Sequence, residues 1–365
     1  MSHQNILSKV IINLLKKYFS VKEKTEYSLN NPERFLIIRQ HNQFGDMLAS
    51  VPLFRAIKEK YPNSKITLIA SPENYYAITK NKYIDELFIF NKKKFFNFVY
   101  LKKLKQVLRK KYDVAIVPAT VAISKTSCIL AALSNSEIKI GPESLNGQKN
   151  DISFLFHYRI ELNWKKNPDA HVSDFIMDIV RPFGLSTKNF SSSIEYDQED
   201  EKAAEEFINS INLAKDDYLV GFHVGAGKPQ NRWSLEKYIN LIMKLKEHYK
   251  IKIYFTGSSS DKDEIDYMKK NLNFQAAYFI NQPISTLAAL ISKSDLFITN
   301  DTGVMHVAGT TKTPQISLFG PTNPYNWAPI GEEKYFIRKS ELISDITEDE
   351  VFNLCCSIFE KHKKN

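Results

Sequence analysis

Two stretches of this chain hold residues whose types and spacing can do chemistry. The first is Asn300-Asp301-Thr302-Gly303-Val304-Met305-His306, followed further on by Gly320-Pro321-Thr322. Residues 296–299 ahead of it read as a buried strand, 304–309 as a short helix and 315–319 as a second buried strand. Strand, capped helix and strand make one βαβ unit. Such a unit presents unpaired helix N–H groups at the carboxyl end of a parallel sheet, which suits a phosphate. Asp301 or Thr302 can cap the helix, Gly303 lets a ligand approach the backbone, and His306 faces that ligand. An ordinary capped helix shows the same letters. The loop Gly320-Pro321-Thr322, predicted on the same sheet edge, strengthens the anion-site reading.

The second stretch is Gln40-His41-Asn42-Gln43-Phe44-Gly45-Asp46. It follows an apolar strand over 34–39 and precedes a helix over 47–61 that Pro52 bends or interrupts. Asp46 is a carboxylate at a sheet edge beside a glycine. It can cap the helix, or it can act as a general base if it reaches a hydroxyl proton. No Gly-x-Gly-x-x-Gly follows the strand, which argues against a dinucleotide.

The elements that must position these residues repeat along the chain. After the strand at 34–39 come strands at 65–70, 86–90, 112–118 and 138–141, with helices at 72–79, 124–133 and 171–183; His171 reads as structural. A Ser/Asn/Thr-rich segment at 186–193 and an acidic helix at 199–209 then mark a boundary. The pattern restarts with a strand at 218–224 and a glycine loop, Gly225 to Trp233, carrying the cations Lys228 and Arg232. Ser234 caps the next helix. A strand at 252–256 ends in Gly257-Ser258-Ser259-Ser260-Asp261. Helix 263–272, strand 276–279 and helix 284–291 lead back to the first motif. Each half is βαβα and should build an open parallel sheet. The expected domains are 1–200 and 201–365, with the C-terminal helix free to pack back on the first.

A chain of 365 residues with 43% apolar residues is globular and long enough for two cores. Its three cysteines, Cys128, Cys355 and Cys356, fit neither a disulfide framework nor a zinc site and agree with a reducing cytoplasm. No secretory signal and no membrane-spanning run is expected. The net charge of +9 is uneven: residues 1–200 hold 30 Lys+Arg against 20 Asp+Glu, and residues 201–365 hold 20 against 21. Long-range attraction to an anionic partner is the functional reading and plain solubility the other; no nucleic-acid recognition motif is present. Residues 80–111 carry 11 Lys+Arg and 2 acidic residues, with Phe95, Phe96 and Phe98 among them. Lys92, Lys93 and Lys94 form one unbroken run within it. They form either a solvated face or a dock for an acidic acceptor or anionic lipid. Residues 6–19 form an amphipathic basic helix, suited to a membrane surface or to packing on the protein. Residues 21–32 read as a polar linker.

Taken together and in order, these motifs resemble the bacterial lipopolysaccharide heptosyltransferases, the inverting, ADP-heptose-using enzymes of glycosyltransferase family 9. The matching residues are Phe44-Gly45-Asp46 with Pro52, Gly225-Ala226 through Arg232-Trp233, Gly257 to Asp261, Asn300 to Gly303 with His306, and Gly320 to Thr322. They span roughly residues 34–330. The resemblance implies the GT-B fold: α/β, two Rossmann-like parallel-sheet domains facing across a cleft. The acceptor, an acidic glycolipid at an anionic membrane, binds the first domain and the nucleotide-sugar the second. Asp46 then takes the acceptor proton. Lys228 or Arg232, Asp301, Thr302, Gly303, His306, Gly320 and Thr322 surround the nucleotide-sugar, Asp261 contacts ribose, and Lys92 to Lys94 meet the acceptor. Two departures bear on the donor. The loop before Gly45 is one residue longer than usual, and Asn231 stands where a lysine is common. Asp261-Lys262-Asp263 begins a helix and is no metal motif, and the family implies neither metal nor other cofactor. A sugar-nucleotide 2-epimerase, a transferase for another donor sugar and a non-catalytic binding protein share the architecture.

Overall fold

A computed structural model describes residues 3–40 and 43–364, leaving aside the side chains of residues 3–8. His41 and Asn42, in the loop ahead of Asp46, lie outside the described residues. Contacts gather the chain into two units, Met1–Phe190 and Ser191–Asn365.

The first unit opens with α1 (His3–Phe19). The polar segment after it is tied down: the Val21 N–H donates to Phe154 O at 3.1 Å, Lys24 N–H to His157 O at 2.8 Å, and the Tyr158 hydroxyl to Glu26 O at 2.8 Å. The sheet holds β1 (Arg34–Arg39), β2 (Lys65–Ala70), β3 (Glu86–Ile89), β4 (Tyr112–Ile116), β5 (Ser136–Leu145), β6 (Gln148–Lys149) and β7 (Tyr158–Leu162). Its order is β3-β2-β1-β4-β5-β6, with β7 also on β5, and only the β5–β6 pair is antiparallel. Phe35 to Ile38 have no exposed surface, as a continuous apolar run in a central parallel strand requires. Each such side chain contributes roughly 1.5–3 kcal/mol by leaving water.

Helices α2 (Phe44–Leu48), α3 (Val51–Lys60), α4 (Phe98–Arg109), α5 (Lys125–Leu133) and α6 (Val172–Phe175) complete this unit. The helix expected over 47–61 is two, broken at Ala49 and Ser50, with Pro52 in the first turn of α3, where its missing N–H costs nothing. The helix expected over 171–183 is α6 followed by two 3-10 turns. Pro182 cannot donate to Asp178 O, so the α ladder does not close there. His171 caps α6, its ring accepting from the Ser173 N–H at 3.1 Å. The helix expected over 72–79 is one 3-10 turn, Tyr75–Ala77.

The second unit's sheet holds β8 (Tyr218–His223), β9 (Ile251–Gly257), β10 (Ala277–Ile280), β11 (Leu296–Asn300), β12 (Gln315–Leu318) and β13 (Lys334–Ile337). All neighbours are parallel, in the order β10-β9-β8-β11-β12-β13. That is the 3-2-1-4-5-6 order of a Rossmann sheet. Its helices are α7 (Gln198–Ser210), α8 (Leu235–His248), α9 (Lys262–Asn271), α10 (Ile284–Ser292), α11 (Gly303–Gly309), α12 (Pro324–Trp327) and α13 (Glu348–Lys361). α7 packs on α10, and Asp200 accepts from the Ser285 and Thr286 hydroxyls at 2.9 and 2.7 Å. Residues 191–200 therefore join the second unit, and the boundary falls at 190/191 rather than 200/201. The C-terminal helix, α13, buries Val351, Phe352, Cys355, Ile358 and Phe359 in the second unit's core beside Leu241 and Leu245 of α8.

Candidate functional site

In an open parallel sheet, ligands bind at the carboxyl edge where the strand order reverses. In the first unit that point lies between β1 and β4, and the residues there are charged. Arg39, the last residue of β1, is 2% exposed, and Asp46, in the first turn of α2, is fully buried. Arg39 Nη2 donates to Asp46 Oδ1 at 3.2 Å and to Thr120 Oγ1 at 2.7 Å, while Nη1 donates to Pro118 O at 3.2 Å. The Thr120 hydroxyl in turn donates to Asp46 Oδ1 at 2.8 Å. Burial lowers the pKa of the Arg39 guanidinium and the charge of Asp46 opposes that shift. Asp46 is no helix cap: Gln43 holds the cap position and makes no side-chain bond there. The segment after β4 is itself fixed, because the Trp164 indole N–H donates to Thr120 O at 2.7 Å and Trp164 stacks on Phe175 at 4.0 Å. Arg39, Thr120 and Trp164 were not singled out from sequence. A basic residue closing an otherwise apolar strand was the one local signal.

Lys92, Lys93 and Lys94 form an exposed 3-10 turn after β3. That places them on the same sheet edge as Asp46 but two strands away, roughly 10 Å across the sheet.

The second unit repeats the arrangement between β8 and β11. Asn300, fully buried at the end of β11, ties the two loops together. Its amide donates to Val224 O and Gly225 O at 2.9 and 3.2 Å, and its Oδ1 accepts from the Trp233 N–H and the Tyr238 hydroxyl at 3.1 and 3.0 Å. Trp233 donates its indole N–H to Ile346 O at 3.0 Å, which anchors the end of the glycine loop. Asp301 accepts from Asn231 Nδ2 at 2.9 Å. Burial raises the Asp301 pKa, against a hydrogen bond from Thr322 and the positive charge of Lys228. Thr302 holds the cap position of α11, and neither its side chain nor that of Asp301 caps the helix. Gly303 opens α11, and His306 is half-buried with its ring 6.5 Å from that of Trp327.

The two cations of the glycine loop differ. Arg232 is exposed but paired: Nε donates to Ala226 O at 2.7 Å and Nη1 pairs with the nearly buried Glu264 at 2.5 Å. Lys228 is exposed. Asp261 closes a capping box, Oδ2 accepting from the Ser258 N–H and hydroxyl at 2.8 Å each. Its Oδ1 lies against Gly225, where any Cβ would stand 2.1 Å away. The Gly320 backbone packs on Gln230 O, and its own carbonyl accepts from Arg338 Nε at 2.9 Å. The structure therefore gathers Lys228, Asp301, Thr302, Gly303, Gly320 and Thr322 around one sheet edge, with Asp261 beside the same glycine loop. The chemistry these groups suit is binding a compact polyanion through backbone N–H groups and the exposed Lys228.

Two large depressions, about 1050 Å³ around Glu33, Asp113 and Glu137 and about 880 Å³ around Asp217, Lys250 and Ala276, lie at the amino ends of the strands, away from every candidate residue. Among the described residues no cluster of His, Cys, Asp and Glu could hold a metal ion, and no helix is long and apolar enough to cross a membrane.

Residues 101–350 match the model of glycosyltransferase family 9 (heptosyltransferase). The lipopolysaccharide heptosyltransferase 3 of Escherichia coli K12 is 24% identical over 306 residues, 78% of this chain and 82% of that protein. The glycosyl transferase family 9 structure from Veillonella parvula DSM 2008 superposes with a TM-score of 0.76 at 21% identity, covering 93% of this chain and all of that one. The E. coli ADP-heptose lipopolysaccharide heptosyltransferase II gives 0.72 at 18% identity, covering 90% and 99%. With more than half of its length matched and its fold shared over nearly all of it, this chain belongs to glycosyltransferase family 9, the heptosyltransferases.

Proposed function

We propose that this glycosyltransferase moves a heptose from ADP-heptose to a hydroxyl of a lipopolysaccharide core acceptor, inverting the anomeric carbon in a single displacement. The observation that carries the reading is the buried carboxylate of Asp46 at the switch point of the first sheet, oriented by Arg39 and Thr120. The acceptor oxygen attacks the anomeric carbon as the bond from that carbon to the β-phosphate oxygen breaks, and Asp46 takes the hydroxyl proton. Charge develops on the departing diphosphate, so fixed dipoles and cations there lower the barrier. Lys228, the N–H groups around Thr302 and Gly303, and His306 serve this purpose. Arg232, already paired, shapes the loop instead. Asp261 has Oδ1 left for ribose. Asp301 with Thr322 and Gly320 holds the adjoining loops in place. Lys92 to Lys94 meet the acidic groups of the acceptor. The reaction needs no metal in this scheme. The protein works in the cytoplasm, peripheral at the inner face of the cytoplasmic membrane.

Incubation with ADP-heptose, with and without lipid A carrying its inner-core acid sugars, tests this. ADP release that requires acceptor is the expected result. Conversion of the sugar without acceptor would instead mean an epimerase, and inertness towards ADP-heptose with turnover of another nucleotide-sugar would replace the donor.

A further inference from the structure

Two surfaces of the first unit expose large apolar side chains beside lysines. Helix α1 has two apolar stripes. Ile12, Leu15 and Phe19 pack on the unit's core. Val10, Ile11, Leu14 and Tyr18, offset around the helix, remain 47–68% exposed among the exposed Lys9, Lys16 and Lys17. Positions 11, 14 and 18 share one helical face. The helix therefore packs on the protein and still presents a second apolar face, so the two alternatives read from the sequence are compatible. The start of α4 behaves alike. Phe95, Phe96, Phe98 and Val99 are 54, 100, 79 and 63% exposed, directly after Lys92 to Lys94 and ahead of the exposed Lys102 and Lys103. No acidic residue occurs from 92 to 111.

Both helices pack on one core cluster, which contains Leu36 and Ile38 of β1 together with Leu104, Val107 and Leu108 of α4. They therefore cover the same face of the sheet. Soluble surfaces scatter single apolar residues, but these come in two groups, each ringed by cations. Exposed aromatic rings settle at the headgroup level of a bilayer, and lysines are drawn to anionic lipid. Charge points the same way: residues 1–190 hold 30 Lys+Arg against 16 Asp+Glu, a net of +14, whereas residues 191–365 hold 20 against 25, a net of −5.

We infer that α1 and the 95–99 segment form one membrane-docking face, seated on an anionic bilayer with Phe96 and Phe98 at headgroup depth. The proposed glycolipid acceptor supplies a reason for a bilayer to be near, and the inference rests on that reading for nothing else. Co-sedimentation of the full chain with phosphatidylcholine vesicles, with and without phosphatidylglycerol, tests it. The wild type should sediment with phosphatidylglycerol-containing vesicles at low salt and much less at high salt. The double variant Phe96→Ser, Phe98→Ser should lose about tenfold or more in partitioning, with unchanged circular dichroism because both rings are exposed. Its turnover on a soluble acceptor fragment should match wild type, which separates this proposal from the transferase reading: a protein inactive on every acceptor that still sediments refutes only the latter. Absence of binding at low salt overturns the docking face. So does a double variant that sediments like wild type, or a wild-type dimer in solution that the double variant dissolves, which would make a second copy the occupant.

Discussion

The two units place a carboxylate at the same topological point and surround it differently. Asp46 sits against a buried guanidinium and a threonine hydroxyl. Asp301 sits against a neutral amide and a threonine, with a lysine charge felt from the loop. The same sheet edge thus carries opposite electrostatics. In the first unit the carboxylate is paired with a positive charge buried alongside it, so the pair is an oriented dipole. In the second, burial works against the charge of Asp301, and the Lys228 cation is exposed, open to the proposed diphosphate. On the roles proposed above, one Rossmann frame would serve as proton acceptor or anion receptor according to whether the positive charge is spent within the protein or offered to solvent.

The largest expected effect is at the first carboxylate. Asp46→Asn should cut turnover by ~10²–10⁴-fold while leaving the ADP dissociation constant nearly unchanged. Thr120→Val, which leaves Arg39 in place, should cost roughly tenfold in kcat through the lost hydrogen bond. Thr120→Ser should restore most of it, as a role in aiming the carboxylate requires. Near-normal turnover of the asparagine variant, measured by acceptor-dependent ADP release, would collapse the contrast between the two units.

The two cations of the glycine loop test the other side. Lys228→Ala should weaken ADP binding by about tenfold, the lower end for a charge-assisted bond, without a change in thermal midpoint. Arg232→Ala should instead destabilise the unit by on the order of 1–2 kcal/mol, because Glu264 is left nearly buried and unpaired. Calorimetric titration with ADP and thermal unfolding of both variants separate the outcomes. The reverse pattern would assign the diphosphate to Arg232.

The smallest effect contrasts the chemistry with a group that belongs only to the scaffold. His157 accepts the Lys139 N–H at 3.1 Å through Nδ1, and its pKa is lowered to about 4 by burial and by the charges of Lys139 and Lys24. A depressed histidine is protonated more readily in the unfolded chain. The stability it lends is therefore complete above about pH 6.5 and lost as the pH falls from there to about 4. At a half-buried ring the loss should be on the order of 1 kcal/mol. His157→Gln should flatten that part of the stability curve measured by urea unfolding, and an unchanged curve would remove His157 from the account.

Much of this was legible in the chain because it is local. Apolar runs marked the central strands, and Gly45-Asp46 and Asp301 to His306 marked both switch points. What was missed depends on contacts far apart in sequence. Arg39 meets Thr120 across 81 residues and Asn231 meets Asp301 across 70, and no local pattern announces either pair. Asp301 was read as a possible cap because a carboxylate before a helix usually is one; the buried amide of Asn231 competed for it. The strand β7 was overlooked although Tyr158, Ile160 and Leu162 alternate with the outward Arg159 and Glu161. The helix expected at 171–183 gives way after Phe175 to two 3-10 turns, the second of which holds Pro182.

The contact of Gly225 with Asp261 has a consequence for how this protein can vary. The carboxylate fills the space of a side chain at residue 225, so neither position is free to drift alone. Any residue larger than glycine would push the Asp261 side chain out of its bond to Ser258 and unseat the start of α9. Shortening or removing the Asp261 side chain would relieve the crowding but lose the cap. The two loops are thus inherited as one unit: a new side chain at 225 becomes tolerable only in a background that has already given up the carboxylate, and the path between two such sequences runs through the loss of Asp261 first.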